Sequence, residues 1–267
     1  LAQNEKEFPA DLIDENKAKY NAEDYEIEAR TFRAIQFYDV LSKFEVRLAT
    51  PTLSNARTNR HQLSSCFVNS VPDNIEGIFD GFKEVALLSK YGGGIGSDWN
   101  LIRGMKSAIA GHNGAAGGVV PFLKIDNDIA IAVDQLGTRK GAIAVYLEPW
   151  HIDILEFLDL KKNSGEERRR THDLFPALWI PDLFMERALK GEDLSLFSPD
   201  DVPLLSETYG EEFNKAYVAY EQDTSINRVT IKAVEIWKKA LQQYFETGSP
   251  YLCFKDNANR VNPNAHT

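Results

Sequence analysis

The stretch "GAIAVYLE", residues 141–148, decides how the fold is interpreted. It is a nearly unbroken apolar run of strand length, which is typical of a strand covered on both faces. Such strands occur in parallel sheets, where a crossover connection, usually a helix, joins one strand to the next. Strand-like and helix-like patterns alternate on both sides of this stretch. The alternation predicts βαβ units and a mostly parallel sheet.

The remaining elements are predicted from apolar periodicity and turn residues. Residues 1–23 are charged and weakly patterned, and predict an extended or frayed arm. Helices are expected over residues 24–44, 74–90, 119–134, 152–162, 182–190, 210–221 and 229–246. Strands are expected in "VRLATPTL" and "IGSDW", and over 66–68, 141–148, 176–180, 194–197 and 250–254.

Bulk composition excludes several classes of protein. The net charge of −10 argues against a broad basic face for nucleic acid, although a local basic pocket for a small phosphate ligand stays possible. Two cysteines cannot build a disulfide scaffold or a four-cysteine zinc site, and no other metal motif is visible. Low cysteine usage fits a reducing cytosol, and no apolar run approaches membrane-spanning length. A cytoplasmic protein without membrane or nucleic-acid partners is therefore expected.

The glycine-rich stretch "YGGGIGSDW" is a weak match to a dinucleotide fingerprint. Its glycines follow a helix and precede a strand, whereas a Rossmann turn lies between strand and helix. The next loop, residues 100–118, carries Arg103, Lys106 and His112 among glycines. Glycine-rich backbone beside an arginine can hold phosphate groups. On composition alone, a mobile surface loop is an equally good interpretation.

A second short loop, residues 135–140, leads into the buried strand. Gln135, Arg139 and Lys140 could bind a base or a phosphate, or could simply be solvated. His151, which follows a tryptophan, is interpreted as a packed, hydrogen-bonded residue.

Cys66 lies in "HQLSSCFVNSVPDN", residues 61–74, with no local histidine or aspartate that could form a triad with it. A buried neutral thiol is therefore the default interpretation from local sequence. Cys253 is interpreted as packing on the last strand.

Taken in order, several segments resemble the large catalytic subunit of class I ribonucleotide reductase. They are "ATPTLSNA", "QLSSCFV", "GGGIGSDWNLIRG", the long run from "DQLGTRKGAIAVYLEPWH" to "FPALWIPDLFM", "LFSPDDVP" and "GSPYLCFKDNANRVNPNAHT". They extend from about residue 30 to the end of the sequence. The resemblance implies a ten-stranded α/β barrel built from two five-stranded halves. Residues 1–45 would end an N-terminal helical region, and residues 46–267 would form the first half-barrel with its specificity loops.

The resemblance also implies a reaction and a redox thiol. The family reduces ribonucleoside diphosphates to deoxyribonucleotides by radical chemistry. Cys66 matches one of two thiols that reduce the substrate and become a disulfide. Thr50 and Ser65 match positions that contact substrate.

An allosteric site is implied in the same way. The glycine loop at 103–118 matches the first specificity loop, where a deoxynucleoside triphosphate or ATP effector binds, together with Mg²⁺. Asp73 matches a residue at the effector ribose, and Arg103 one at its phosphates. Loop 135–140 matches the second specificity loop. His112, Gln135 and Arg139 complete the expected effector-binding set.

The implied partners are other polypeptides rather than a covalently bound cofactor. A separate metal-containing small (beta) subunit would supply the radical, and thioredoxin or glutaredoxin would restore the thiols. Helices 74–90 and 119–134 would form a homodimer interface. The family's radical cysteine lies beyond the last motif, so a complementary C-terminal catalytic segment is expected, with residues 1–267 inactive alone.

Two other functions are kept in view. One is a non-catalytic nucleotide-binding regulatory fragment, in which the effector site works without the radical site. The other, a nicotinamide-binding domain, would need its glycines between a strand and a helix.

Overall fold

The computed structural model describes residues 7–59, 62–112, 114–133 and 141–263. The chain divides into two compact units, Leu1–Leu63 and Ser64–Thr267. The sequence motifs instead divided the chain after residue 45, and that assignment of a helical region and a barrel region stays a prediction.

The first unit is helical. Its helices are α1 (Ile13–Lys19), α2 (Ala22–Ser42) and α3 (Thr50–Asn55), with a 3₁₀ turn at Ala10–Leu12. Phe8, Tyr25 and Ala29 form its small core. The expected extended arm over residues 1–23 is therefore wrong for the part that the structure describes. The aromatic ring of Phe8 stacks on that of Tyr20, and this tertiary contact holds a segment with little periodicity of its own.

The strand expected in "VRLATPTL" is also wrong, because its second half begins α3. Pro51 lies in the first turn of that helix, where the missing N–H of proline removes no intrahelical hydrogen bond. Thr50, a predicted substrate contact, is the first residue of α3.

The second unit is built on a parallel sheet. Five strands lie in the order β1 (Cys66–Ser70), β2 (Gly94–Asp98), β3 (Ala142–Leu147), β4 (Leu174–Ile180) and β7 (Tyr251–Phe254), and each pair is parallel. A separate antiparallel pair, β5 (Asp193–Phe197) and β6 (Arg228–Lys232), lies between β4 and β7 in the sequence. The predicted mixed α/β class with a parallel sheet is confirmed, and the sheet is consistent with part of a barrel.

The second unit has eight helices within the described residues; the first seven lie between strands and the last follows β7. They are α4 (Ile75–Lys90), α5 (Val120–Val133), α6 (Ile154–Phe157), α7 (Asp182–Lys190), α8 (Leu204–Glu207), α9 (Gly210–Gln222), α10 (Ala233–Thr247) and α11 (Lys255–Arg260). Short 3₁₀ turns lie at Glu167–Arg169 and Pro199–Asp201.

Two predicted helices are shorter in the structure. Residues 152–162 form regular helix only at α6. The predicted helix 229–246 begins as strand β6, because β-branched Val229, Thr230 and Ile231 pair with the free edge of β5.

The two faces of the parallel sheet differ. On one face Ile143, Val145 and Leu147 are fully buried in the main core. On the other face Cys66 is exposed and the side chain of Val68 is 88% exposed. The expectation that β3 is covered on both faces is therefore wrong for the described residues, whereas the parallel pairing inferred from it is correct.

Helix α5 buries an unpaired carboxyl group. Asp126 is 0% exposed, and neither of its side-chain oxygens has a hydrogen-bond partner. Burial disfavours the charged form and raises the pKa of Asp126 to about 7. The folded chain therefore holds this group neutral over a pH range in which the unfolded chain ionises it.

Replacing Asp126 tests this assignment. A folded-state pKa above the unfolded value means that Asp126 reduces stability as pH rises from about 4 to about 7. The side chain in Asp126→Asn cannot ionise. The difference in free energy of unfolding between this variant and wild type should therefore increase in favour of the variant from about pH 4 to about pH 7, and should stay constant above pH 7. Urea unfolding at a series of pH values measures this. Asp128→Asn, at an exposed position of α5, is the control, and an equal slope for all three proteins would contradict the assignment.

Candidate functional site

A pocket of about 480 Å³ lies between the start of α4 and the loop that follows β2. We call it the α4–loop pocket. Its lining residues are Asp73, Asn74, Ile75, Ile78, Ile102, Arg103, Ile109, Ala110, Ala116, Gly117, Gly118 and Phe122. Asn74 caps α4 by accepting a hydrogen bond from the backbone N–H of Gly77 at 2.8 Å. The first turn of α4, with its partial positive charge, therefore forms one wall of the pocket.

Asp73 and Arg103 meet in this pocket, and their assignment to an effector site stays a prediction. Asp73 follows β1 and Arg103 follows β2, so both lie beyond the carboxyl ends of neighbouring parallel strands. The Nε of Arg103 donates to Oδ2 of Asp73 at 2.7 Å, and its backbone N–H donates to Oδ1 at 3.2 Å. The Nη1 of Arg103 donates to the carbonyl of Ala108 at 2.5 Å. The guanidinium is thus held in place at the edge of the pocket.

The loop over residues 100–118 is not structureless. The backbone of Lys106 donates to the carbonyl of Ala116 at 2.9 Å, and that of Ala116 donates to the carbonyl of Ser107 at 3.1 Å. At its tip, Ile109 and His112 form an antiparallel bridge. His112 is exposed and lies outside the lining of the pocket. Its assignment to effector binding stays a prediction.

Three buried polar residues hold the base of this loop, and the sequence analysis did not select two of them, Asp153 and Ser198. Asp153 accepts hydrogen bonds from the backbone N–H groups of Met105 and Val119, at 2.9 and 3.0 Å. Ser198 accepts one from the backbone of Gly104 at 2.9 Å. Sequence patterns offer little signal for these contacts, since the partners lie far apart in the chain.

His151, the third of these residues, is packed and hydrogen-bonded, as predicted. Its Nδ1 accepts from the backbone N–H of Asp153 at 3.0 Å, which leaves Nε2–H to donate to the carbonyl of Ile102 at 2.8 Å. Burial lowers the pKa of His151, so the neutral ring is favoured.

Cys66 lies on the open face of the sheet, in a pocket of about 330 Å³ that we call the cysteine pocket. It is the first residue of β1 and stands opposite Gly94 and, beyond it, Ala142. Tyr146 and Tyr251 are among the other residues that line this pocket. The default interpretation of Cys66 as a buried thiol is wrong, because its strand places it on the uncovered face. Ser65 precedes it, and its carbonyl accepts from the backbone of Gly94 at 2.8 Å.

A charged network closes the carboxyl ends of β2 and β3. Lys255 donates to Glu148 at 2.8 Å, and both side chains are buried. The backbone N–H of Glu148 donates to Asn100 at 2.6 Å, and the side chain of Asn100 donates to Asp98 at 2.5 Å. Burial raises the pKa of Glu148 to about 7, although Lys255 and Trp150 oppose the shift. Asp98, Asn100 and Glu148 line a further pocket of about 410 Å³ on the open face.

Sequence reasoning missed this network. The carboxyl-end rule could have selected Asp98 and Glu148, since each lies at or just beyond the end of a predicted strand. Lys255 could be identified as part of the network only from the tertiary structure.

Several predicted residues are not tested by this geometry. Gln135 and Arg139 lie outside the described residues. Thr50 belongs to the first unit. Within the described ranges, no group of three or more histidine, cysteine, aspartate and glutamate side chains is arranged to hold a metal ion. The described helices include none that is long and apolar enough to cross a membrane.

These features define a class: an α/β protein with ligand-sized pockets beyond the carboxyl ends of parallel strands and an exposed cysteine on the open sheet face. Residues 64–267 match the family described as ribonucleotide reductase, barrel domain. The chain belongs to this family.

Related proteins agree with the match. The chain is 64% identical over 233 residues to ribonucleoside-diphosphate reductase subunit alpha of Helicobacter pylori, covering 87% of this chain and 30% of that protein. It is 51% identical over 229 residues to the ribonucleoside-diphosphate reductase large subunit of Danio rerio, covering 85% of this chain and 29% of that protein. Ribonucleoside-diphosphate reductase subunit alpha of Chlamydia muridarum is 46% identical to the chain over 242 residues, which is 89% of this chain and 23% of that protein. The chain thus spans less than a third of the length of these curated relatives.

A pair of glycine substitutions tests the packing of the loop base. Gly114 and Gly118 both have φ of +73°, so alanine at either position costs about 1–2 kcal/mol of left-handed strain. A Cβ at Gly118 would also lie 2.2 Å from Oδ2 of Asp153, whereas nothing lies within 4 Å of one at Gly114. Gly118→Ala should therefore lower the thermal midpoint clearly more than Gly114→Ala. Equal thermal midpoints for the two variants would contradict the close approach of Gly118 to the carboxylate of Asp153.

Proposed function

We propose that this chain is part of the catalytic subunit of a ribonucleoside-diphosphate reductase, which reduces ribonucleoside diphosphates to deoxyribonucleoside diphosphates by radical chemistry. The observation that carries the proposal is the position of Cys66, exposed at the start of β1 on the open face of the family's barrel sheet. The related ribonucleoside-diphosphate reductase subunits support the reaction class.

In this proposal Cys66 is one of two thiols that supply electrons and protons to the substrate. Replacing a ribose hydroxyl by hydrogen, with loss of water, takes two electrons, and joining two thiols as a disulfide releases two. Gly94 stands beside Cys66 without a side chain, which leaves the thiol accessible from the cysteine pocket. Thr50 and Ser65 are proposed to contact the substrate. Thioredoxin or glutaredoxin would then reduce the disulfide.

The proposed catalytic unit includes more polypeptide than this sheet. The open face exposes Val68 and Tyr251, and exposed apolar surface of this kind favours a covering partner. A complementary C-terminal segment that carries the radical cysteine is proposed to cover it, and residues 1–267 alone are proposed to be inactive. A small beta subunit with its own metal centre is the proposed source of the radical.

A homodimer through α4 and α5 is proposed as well. These helices pack against each other, yet Ile75, Phe79, Leu87 and Ile131 stay exposed on them. An interface between two copies would bury these side chains. The cytoplasm, with its reducing thiol pool, is the proposed location.

The α4–loop pocket is proposed to bind a deoxynucleoside triphosphate or ATP, together with Mg²⁺ on its phosphates. The helix start and Arg103 offer the positive charge that phosphates need, and Asp73 can accept hydrogen bonds from ribose hydroxyl groups. His112, Gln135 and Arg139 are proposed as further contacts, with loop 135–140 coupling the effector to base selection.

A second candidate is a non-catalytic nucleotide-binding regulatory module. It is favoured by the α4–loop pocket, whose lining residues all lie within residues 73–122. The next experiment separates the two functions.

Cys66→Ser should abolish multiple turnover of diphosphate reduction in the full-length subunit, because serine cannot form the disulfide. The assay uses a dithiol reductant and the radical-generating subunit. Cys253→Ser is the matched control and should keep near-wild-type turnover, since the partly buried Cys253 is assigned to packing. Sustained turnover by Cys66→Ser would contradict its role as a reducing thiol, whereas nucleoside triphosphate binding without any diphosphate reduction by the wild-type subunit would favour the regulatory module.

Arg103→Ala and Asp73→Ala should each weaken nucleoside triphosphate binding by about tenfold or more, because each removes a charge-assisted contact. The rate of diphosphate reduction without effector should change less than the affinity for the nucleoside triphosphate and the selectivity among substrate bases. Isothermal titration calorimetry of the full-length subunit with dGTP or dTTP measures the affinity. Arg168→Ala, at an arginine whose side chain is 82% exposed, is the control. Affinities equal to wild type in both variants would exclude this pocket as the effector site.

A further inference from the structure

We propose that Asp153 is a positioning residue for the α4–loop pocket, whose carboxylate clamps the two ends of loop 105–119 and so sets the shape in which the pocket binds its ligand. The inference rests on the proposed nucleotide site and adds a residue that does not contact the nucleotide.

The clamp is defined by two hydrogen bonds from backbone groups at opposite ends of one loop. Oδ1 of Asp153 accepts from Met105 at 2.9 Å and Oδ2 accepts from Val119 at 3.0 Å. The residue is 5% exposed; the bond from Val119 is buried and the bond from Met105 is partly buried. Hydrogen bonds to a charged acceptor are roughly twice as strong as neutral ones. A single carboxylate thereby fixes the distance between the loop ends.

The residues that line the loop side of the pocket lie inside or next to this clamp. Arg103 comes two positions before Met105, and Gly117 and Gly118 come directly before Val119. Ile109, Ala110 and Ala116 lie between the clamped ends. A change in the separation of Met105 and Val119 therefore moves one whole wall of the pocket, including the arginine.

Asp153 is itself held in place. Its backbone N–H donates to Nδ1 of His151, and the opposite ring nitrogen of His151 bonds the carbonyl of Ile102. Ser198, whose hydroxyl bonds Asp200, accepts from Gly104 beside the clamp. These contacts tie the loop base to the segments after β3 and β5.

Space around the clamp is too small for a longer side chain. Gly118 passes so close that a Cβ there would lie 2.2 Å from Oδ2 of Asp153, and a Cβ at Gly104 would lie 1.9 Å from Cγ2 of Ile152. Glutamate at position 153 would therefore displace the loop. Asparagine has the shape of aspartate, but its amide offers one acceptor and one donor group in place of two acceptors.

The test is Asp153→Asn in the full-length subunit, with Asp256→Asn as matched control. Asp256 is also a buried clamp, 2% exposed, and accepts from the backbones of Asp182 and Gly210 at 2.7 and 2.8 Å. Its partners lie outside the α4–loop pocket. Both variants lose one backbone contact to a buried carboxylate, so both should lower the thermal midpoint.

Ligand affinity distinguishes positioning from stability. Calorimetry with dGTP or dTTP should show about tenfold weaker binding for Asp153→Asn, the loss expected for one charge-assisted hydrogen bond, and wild-type affinity for Asp256→Asn. Equal weakening in both variants, or wild-type affinity in Asp153→Asn, would overturn the proposal. If Asp153→Asn does not fold, Ser198→Ala removes the acceptor of Gly104, and unchanged affinity in that variant would likewise count against the clamp.

Hydrogen exchange tests the clamp without any ligand. One of the two amides, that of Met105 or that of Val119, should exchange faster in Asp153→Asn than in wild type and Asp256→Asn, because asparagine keeps one acceptor oxygen, and unchanged exchange at both amides would contradict the clamp. If wild-type subunit binds no nucleoside triphosphate, the proposed effector site fails while the exchange result still reports on the clamp. If Arg103→Ala weakens binding and Asp153→Asn does not, the effector site stands and the positioning role fails.

Discussion

Parallel pairing of the strands is the constraint on which the rest of this structure depends. Backbone hydrogen bonds align Cys66 with Gly94, and Gly94 with Ala142, across three strands. Since parallel strands run in the same direction, their carboxyl ends meet at one edge, and the loops after β1 and β2 are brought side by side. Asp73 and Arg103 can pair only because of this alignment. The same register turns Cys66 toward the open face.

Crossover connections make the two faces of the sheet unequal. The helices that connect the strands cover the face that carries Ile143, Val145 and their neighbours, and they leave the other face to line pockets. Charged groups then close the carboxyl end of the open face. Breaking a buried ion pair such as Lys255–Glu148 leaves an uncompensated charge, which costs about 3–5 kcal/mol. The open face thus combines an accessible thiol with a charged network at its carboxyl end.

Local signals in the sequence predicted some elements well and others poorly. Helix α4, predicted over residues 74–90, spans Ile75–Lys90, and α7 has the predicted bounds. The failures share one cause. Residues 229–232 pair with a strand distant in sequence, and residues 10–19 gain order from an aromatic cluster, so neither outcome is encoded in local periodicity. The candidate site divides in the same way: ordered motifs selected Asp73, Arg103 and Cys66, whereas Asp153, Ser198 and Lys255 carried no local pattern.

By itself, the sequence determined the parallel α/β class, the family resemblance and most of the strands and helices, because hydrophobic periodicity and turn residues act over short distances along the chain. The tertiary structure alone decided the exposure of Cys66, the pairing of Asp73 with Arg103 and the backbone contacts of Asp153. Each of these depends on which distant segments become neighbours. That choice is made by strand register and by the burial of polar groups, and both are properties of the folded chain as a whole.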